Sequence, residues 1–183
     1  MSFNKVHSIE SYQKNIEPEL RFEDINCIVK PNENNVGGIF LGNISAASSI
    51  PTLKKLRIGA VLTVAEELLL DYTNQNYEVN HLKILASDVE HFDLSQHFPQ
   101  CFDFIVSNQT KTNVLIHCYA GVSRSVTITI AYLMKFYGLG FKKALAMVRE
   151  KRKQIYPNSG FVSQLKFFET VLAWERNKEN LVV

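Results

Sequence analysis

The segment "HCYAGVSRS", residues 117–125, gathers a histidine, a cysteine, an arginine and two serines at the end of the apolar run "NVLI". Five residues separate Cys118 from Arg124, and Gly121 stands among them. A strand ending at Cys118, a loop curling at a glycine and a helix opening at Arg124 would form an anion site. Backbone N–H groups at a helix start are unpaired, the helix dipole is positive there, and glycine lets successive N–H groups converge. A phosphate-sized dianion fits that arrangement, and Arg124 adds a planar fork of donors for two of its oxygens. The same field favours a thiolate at Cys118. Cys118 is then the nucleophile, and Arg124 binds the phosphate and holds its oxygens through the trigonal-bipyramidal transition state. Ser125 can hydrogen-bond the sulfur and ease its departure when a cysteinyl-phosphate is hydrolysed. A single cysteine in apolar surroundings can equally be a small buried hydrophobe. Chemistry is favoured here because strand, glycine, arginine, serine and buried helix coincide. His117 reads as structural, its ring bonding the loop backbone and supporting the thiolate rather than transferring a proton.

Breaking a phosphate monoester also takes a separate acid to protonate the leaving oxygen. "LASDVEHFDLSQHF", residues 85–98, offers Asp88, Glu90, His91 and Asp93. Asp93 stands before a helix, where capping is the plainer duty. Asp88 closes a strand end and has no such duty, but the residue types alone leave the choice open.

These groups need elements to position them. "INCIVK" (25–30) and "GGIFLG" (37–42) flank a turn-rich stretch and read as a hairpin or adjacent edge strands. "AVLTVA" (60–65), "VNHLKILA" (79–86) and "NVLIHC" (113–118) read as further strands. The first and last are nearly continuous apolar runs, as in strands covered on both faces. Helical spacing predicts helices over 48–57 and over 94–108, the second beginning late or bending at Pro99. A buried helix over 125–137 ends at "GLG", and two more cover 141–153 and 159–177, the last capped by Asn158. Alternating strands and helices imply an α/β fold: a mostly parallel central sheet of about five strands flanked by helices, with the ligand at the carboxyl ends of the strands.

With 183 residues, 46% apolar and 21% charged, the chain has the composition of one globular domain. A net charge of +2 gives no global reason to bind nucleic acid or an anionic membrane surface. The apolar stretch "VTITIAYLM" is far short of the roughly 20 residues of a membrane span. Cys27, Cys101 and Cys118 are too few and too unevenly spaced for a disulfide framework, and they lack metal-ligand spacing. Cys27 and Cys101 read as core residues, although a disulfide from either to Cys118 would be a route to inactivation. Residues 1–30 lack a signal-peptide core, Ser2 does not suit myristoylation, and "NLVV" has no prenylation cysteine. The expected setting is reducing and intracellular, in the cytoplasm or nucleus. Residues 1–24 are expected to add a helix or arm, 25–177 to form the domain and 178–183 a tail. "KKALAMVREKRK" (142–153) carries six basic residues against one acidic and reads as a solvated helix face.

"HCYAGVSRS" resembles the HC-x5-R-S signature of cysteine-dependent dual-specificity protein phosphatases. "GIFLGNISAAS", "AVLTVAEE", "SDVEHFDLSQHF", "VSRSVTITIAYLM" and "YPNSGFVSQL" are also similar to successive family segments. The resemblance thus runs over roughly residues 26–174. It implies Cys118 as nucleophile, Arg124 as phosphate binder, Ser125 as the hydroxyl that aids phosphoenzyme breakdown and Asp88 as general acid. It places the backbone N–H groups of Tyr119, Ala120, Gly121, Val122 and Ser123 around the phosphate, and makes Asn158 a brace for the loop. No metal or cofactor is implied, and the partners are phosphorylated proteins. The sole tryptophan, Trp174, lies too late to belong to a Trp-Pro-Asp acid loop, and no Lys-Asn-Arg-Tyr segment deepens the pocket. A shallow pocket that admits phosphoserine and phosphothreonine beside phosphotyrosine follows, closest to the small atypical group. Tyr119, Ala120 and Val122 stand where similar inositol-lipid phosphatases place lysines. Two rivals remain: a rhodanese-like sulfurtransferase, which has no need of the Arg-Ser pair or the acid, and a phosphoprotein-binding adaptor, which typically loses the cysteine, arginine or acid.

Overall fold

The structure is a computed structural model, and it describes residues 24–34, 36–73 and 76–181. Residues 1–23, and with them the expected N-terminal arm, lie outside the described residues. Five strands form one sheet: β1 (Ile25–Val29), β2 (Ile39–Gly42), β3 (Ile58–Val64), β4 (Asn80–Ile84) and β5 (Asn113–His117), in the order β1-β2-β5-β3-β4. β1 pairs antiparallel with β2, and every other pairing is parallel.

The apolar runs behave as their composition predicts, since β3 and β5 are buried almost throughout. Of the two readings of the first strands, the hairpin holds: β1 and β2 are neighbours in the chain and pair antiparallel. They are not both edge strands, because β2 is interior, wholly buried between β1 and β5, while β1 and β4 form the two edges. The apolar and glycine residues of β2 suit a strand covered on both faces.

Among the described residues six helices complete the layers: α1 (Ile44–Ser48), α2 (Ile50–Lys55), α3 (Phe98–Gln109), α4 (Arg124–Phe136), α5 (Phe141–Lys151) and α6 (Ser159–Leu181). The helix expected over 48–57 is α2, shorter at both ends, and α1 before it was not expected. Asn43 caps α1, and extended Ser49 breaks the path and caps α2, with Pro51 in its first turn. Pro99 is accommodated by a late start: a 3₁₀ turn at Ser95–His97 precedes α3, and Pro99 occupies the first turn, where no N–H is needed. α5 stops at Lys151, two residues short of the expected end, because Arg152 turns extended (φ −135°, ψ 99°). α6 continues past Asn177 to Leu181.

α4 is the central helix. Every residue from Arg124 to Met134 is buried, so this helix serves as core rather than surface. The larger apolar cluster joins one sheet face (Leu41, Leu62, Ile116) to α3, α4, α5 and α6 through Phe98, Ile130, Val148 and Leu165. A smaller one joins the other face (Phe40, Val61, Leu115) to Ala47 and Leu53 of α1 and α2. At the carboxyl edge of the sheet, His117 pairs with Gly42 on one side and Thr63 on the other. The ends of three parallel strands therefore converge just before Cys118.

Candidate active site

β5 delivers Cys118 to the rim of the sheet with 1% of its surface exposed. The chain then loops through residues 119–123 and enters α4 at Arg124. Gly121 makes the loop possible. Its φ is 66°, and a Cβ there would press on the Gly42 carbonyl and the Arg152 guanidinium. Two donors reach the sulfur: the Gly121 N–H at 3.3 Å and the Ser125 hydroxyl at 3.2 Å.

Arg124 is held rigidly. Its two terminal nitrogens donate to the two carboxylate oxygens of Glu67, each at 2.7 Å, and one also donates to the Ala86 carbonyl at 3.0 Å. Burial works against its charge, but the hydrogen bonds to Glu67 and the negative charge of Glu67 and Asp88 outweigh it, so the guanidinium titrates above its ordinary value. Burial likewise opposes charge on Glu67, and the bond from Arg124 prevails, holding that carboxyl below its usual range. The remaining nitrogen of Arg124, Nε, is buried with no hydrogen-bond acceptor among the described residues and lies 3.6 Å from Asp88 Oδ2.

Asp88 lies at the cleft. Its Oδ1 accepts from the Ser123 hydroxyl at 2.7 Å and from Asn158 Nδ2 at 2.9 Å. Asn158 touches both the helix start and the loop. Its Oδ1 caps α6 by accepting from the Phe161 N–H at 2.9 Å, and its own N–H donates to the Ser123 hydroxyl at 3.2 Å, bracing the loop. Asp93, by contrast, accepts from the Ser95 N–H and hydroxyl at 3.0 and 2.6 Å, a local turn two residues long. It is not the helix cap expected of it, since Leu94 is the cap residue of the 3₁₀ turn and makes no side-chain cap bond.

His117 is wholly buried, and burial drives its pKa down to about 3. The ring is therefore neutral at physiological pH. Nδ1 faces the Cys118 carbonyl at 3.3 Å and can only donate to it, so Nε2 must accept from the Thr63 hydroxyl at 2.7 Å. The Thr63 oxygen in turn accepts from His81 Nε2 at 2.8 Å. This chain locks the ring and ties the Cys118 carbonyl to three strands, in keeping with a structural role.

Several contributors escaped the sequence reading. Arg152 belongs to the basic run expected to face solvent, and that expectation is wrong for this residue. It is 1% exposed, whereas Lys142, Lys143, Arg149, Lys151 and Lys153 are exposed. Its guanidinium donates to the Gly121 carbonyl (2.7 Å), the Ala120 carbonyl (3.2 Å) and Asn26 Oδ1 (2.8 Å). A trans peptide points its C=O and N–H in opposite directions. Holding the Ala120 and Gly121 carbonyls on the Arg152 side therefore turns the Gly121 and Val122 N–H groups the other way, and the Gly121 N–H does point at the sulfur. The one signal available was local, an arginine just past the last turn of an amphipathic helix. Glu67 and Thr63 carried none beyond their place at the end of an apolar strand.

Asp88, Glu90, Cys118, Tyr119, Ala120, Val122, Ser123, Arg124, Tyr156, Asn158 and Ser159 line one open cleft of about 500 Å³. The expected residues thus converge on one place. Cys27 on β1 and Cys101 on α3 pack with opposite faces of the sheet, and all three cysteines are free thiols. Burial raises the pKa of both, Cys101 to about 12.

A strand, a phosphate-sized loop and a buried helix carrying cysteine, arginine and serine define a cysteine-dependent phosphatase domain. The family model for the dual specificity phosphatase catalytic domain matches residues 39–171, and the chain belongs to that family. It is 45% identical over 134 residues to dual specificity protein phosphatase 1B of Arabidopsis thaliana, covering 72% of this chain and 78% of that protein. It is 42% identical over 132 residues to dual specificity protein phosphatase MPK-4 of Drosophila melanogaster, again 72% of this chain but 34% of that protein. Among solved structures, it is similar to the human tyrosine phosphatase-like serine/threonine/tyrosine-interacting protein, with a TM-score of 0.72 and 29% identity over 81% of this chain and 97% of that one. Among the described residues, no helix is long and apolar enough to cross a membrane.

Proposed function

We propose that this protein hydrolyses phosphotyrosine, phosphoserine and phosphothreonine in proteins through a cysteinyl-phosphate intermediate. The observation that carries the reading is the sulfur of Cys118, held by the Gly121 N–H and the Ser125 hydroxyl in a cleft that Arg124 also lines, with the guanidinium Nε lacking an acceptor among the described residues.

In the first step Sγ attacks phosphorus. The S–P bond forms, the P–O ester bond breaks, and Asp88 delivers its proton to the leaving oxygen. Loop N–H groups of residues 119–123 and Arg124 hold the three equatorial oxygens as charge shifts among them. Arg124 needs no search for its position, because Glu67 and the Ala86 carbonyl already fix it. In the second step water attacks phosphorus, its proton passes to Asp88, the S–P bond breaks with the Ser125 hydroxyl stabilising the sulfur, and inorganic phosphate leaves. Asp88 suits both roles: its side chain is 34% exposed, at the mouth, and Ser123 and Asn158 orient it. Tyr119, Ala120 and Val122 bring no cations to the loop, which supports phosphoproteins over polyanionic lipid headgroups.

The adaptor reading draws weight from the likeness to a phosphatase-like interacting protein. Retention of Cys118, Arg124 and Asp88 in one cleft favours catalysis. Turnover of p-nitrophenyl phosphate, blocked by vanadate and unaffected by chelator, decides between them. Cys118→Ser should fold and bind phosphate without turnover, and undiminished turnover would sink the mechanism. On an alkyl phosphoester Asp88→Asn should lose activity and Asp93→Asn should keep it; the reverse reassigns the acid.

A further inference from the structure

We infer that Tyr156 forms an aromatic wall at the cleft mouth that stacks on the phenyl ring of phosphotyrosine, so that aryl phosphoesters bind better than phosphothreonine in the same peptide. The inference rests on the phosphatase reading of this cleft and names the substrate class that the cleft prefers.

Tyr156 is 77% exposed, yet its backbone is hydrogen-bonded into the site. Its N–H donates to the Val122 carbonyl at 2.8 Å, which ties it directly to the loop carrying Cys118 and Arg124. Ile155 before it and Pro157 after it are both buried, and Asn158 next in line holds Asp88 and caps α6. The ring therefore stands on a fixed pedestal and lines the same cleft as the sulfur and the guanidinium. Tyr119, 46% exposed, lines that cleft as well. No ring pair among the described residues includes either tyrosine.

An ester whose phosphorus sits over Cys118 projects its leaving group outward through the mouth. When that group is a phenyl ring, it passes the faces and edges of Tyr156 and Tyr119, and stacking adds to binding beyond simple burial. The leaving group of phosphothreonine is a short branched alkyl that offers no flat face. The phosphate anchor is common to both substrates, so the aromatic wall discriminates through binding of the group that leaves.

The test separates binding from turnover. In the Cys118→Ser background, affinities are measured calorimetrically for two peptides of one sequence carrying phosphotyrosine or phosphothreonine. Adding Tyr156→Ala should weaken the phosphotyrosine peptide roughly two- to tenfold more than the phosphothreonine peptide, the range expected of one aromatic pair. Tyr156→Phe should restore the difference, because the ring and not the hydroxyl carries it. In the active enzyme the same loss should appear in KM for the phosphotyrosine peptide, with kcat little changed. Equal weakening of both peptides, or none, overturns the inference, as does failure of Tyr156→Phe to restore selectivity. The wild-type protein assayed beside these variants reports separately on hydrolysis. If it turns over neither peptide while Tyr156-dependent selectivity persists in binding, the hydrolase reading falls and the aromatic wall stands.

Discussion

Replacing Arg152 by methionine tests whether the phosphate loop is held from behind. The side chain keeps its length and apolar stem but loses donors to the Gly121 and Ala120 carbonyls and to Asn26. The Ala120 side of the loop is exposed and its carbonyl can turn to water, whereas Gly121 is buried. Asn26 Oδ1, also buried, loses this donor too, but within the loop the decisive loss is the Gly121 carbonyl, a buried acceptor whose lost bond costs about 2 kcal/mol. The loop can escape that cost only by rotating the Gly121 carbonyl toward solvent. Because the peptide is planar, that rotation swings the Val122 N–H away from the bound oxyanion. About 2 kcal/mol corresponds to roughly thirtyfold, the upper limit on the loss of anion affinity. The assay is vanadate inhibition of p-nitrophenyl phosphate turnover, measured well below the thermal midpoint. Leu172→Ala, a core truncation on α6 at a residue 4% exposed, serves as a control for general destabilisation. Arg152→Met should weaken vanadate about tenfold, and Leu172→Ala should lower the midpoint with vanadate affinity intact. If Arg152→Met lowers the midpoint and leaves vanadate inhibition at the wild-type value, the loop does not depend on this guanidinium and the reasoning fails.

Two further outcomes follow from the same geometry. Ser125→Ala removes the hydroxyl that donates to Cys118 Sγ at 3.2 Å, so breakdown of the phosphoenzyme should become slowest, and p-nitrophenol should appear as a burst of one equivalent in stopped flow; unchanged steady-state kinetics without a burst would remove Ser125 from the mechanism. His117 has its pKa lowered from 6.5 to about 3 on folding, so as pH falls the unfolded chain takes the proton first. Stability contributed by this residue is therefore complete above pH 6.5 and declines toward pH 3, by about 1.4 kcal/mol per pH unit within that window. Urea denaturation of wild type and His117→Gln at pH 7, 5.5 and 4.5 should show the shallower pH slope in the variant, and equal slopes would contradict the assignment of a neutral buried ring.

Much of the site was legible because it is contiguous. From His117 to Ser125 the strand end, the loop glycine and the helix start follow one another along the chain, and chain connectivity alone brings Cys118, Gly121 and Ser125 within hydrogen-bonding reach. The fold class was readable for a related reason. Doubly covered strands such as "NVLIH" are apolar through their middle, and the central helix is apolar on nearly every side beyond its first turn, so burial writes itself into composition. Asp88 was harder. Four acid or base candidates shared one loop, and only the meeting of Asp88 with Ser123 and Asn158 separates it from Asp93, which bonds its own neighbour Ser95.

By itself, then, the sequence determined an α/β domain with a cysteine and an arginine on one phosphate-sized loop, because those features depend on neighbours in the chain and on hydrophobic patterning. The tertiary structure alone decided what holds that loop and its arginine in place. Glu67 reaches Arg124 across 57 positions, Thr63 reaches His117 across 54, and Arg152 reaches back to Asn26 across 126. None of these pairs has a local signature. A buried charge can persist only where a partner meets it, and which surface-type residue becomes that partner is settled when distant strands and helices pack. Arg152 shows this most clearly. Along the chain it is one more cation in a basic helix face, and in the folded protein two of its nitrogens turn the loop carbonyls away from the nucleophile.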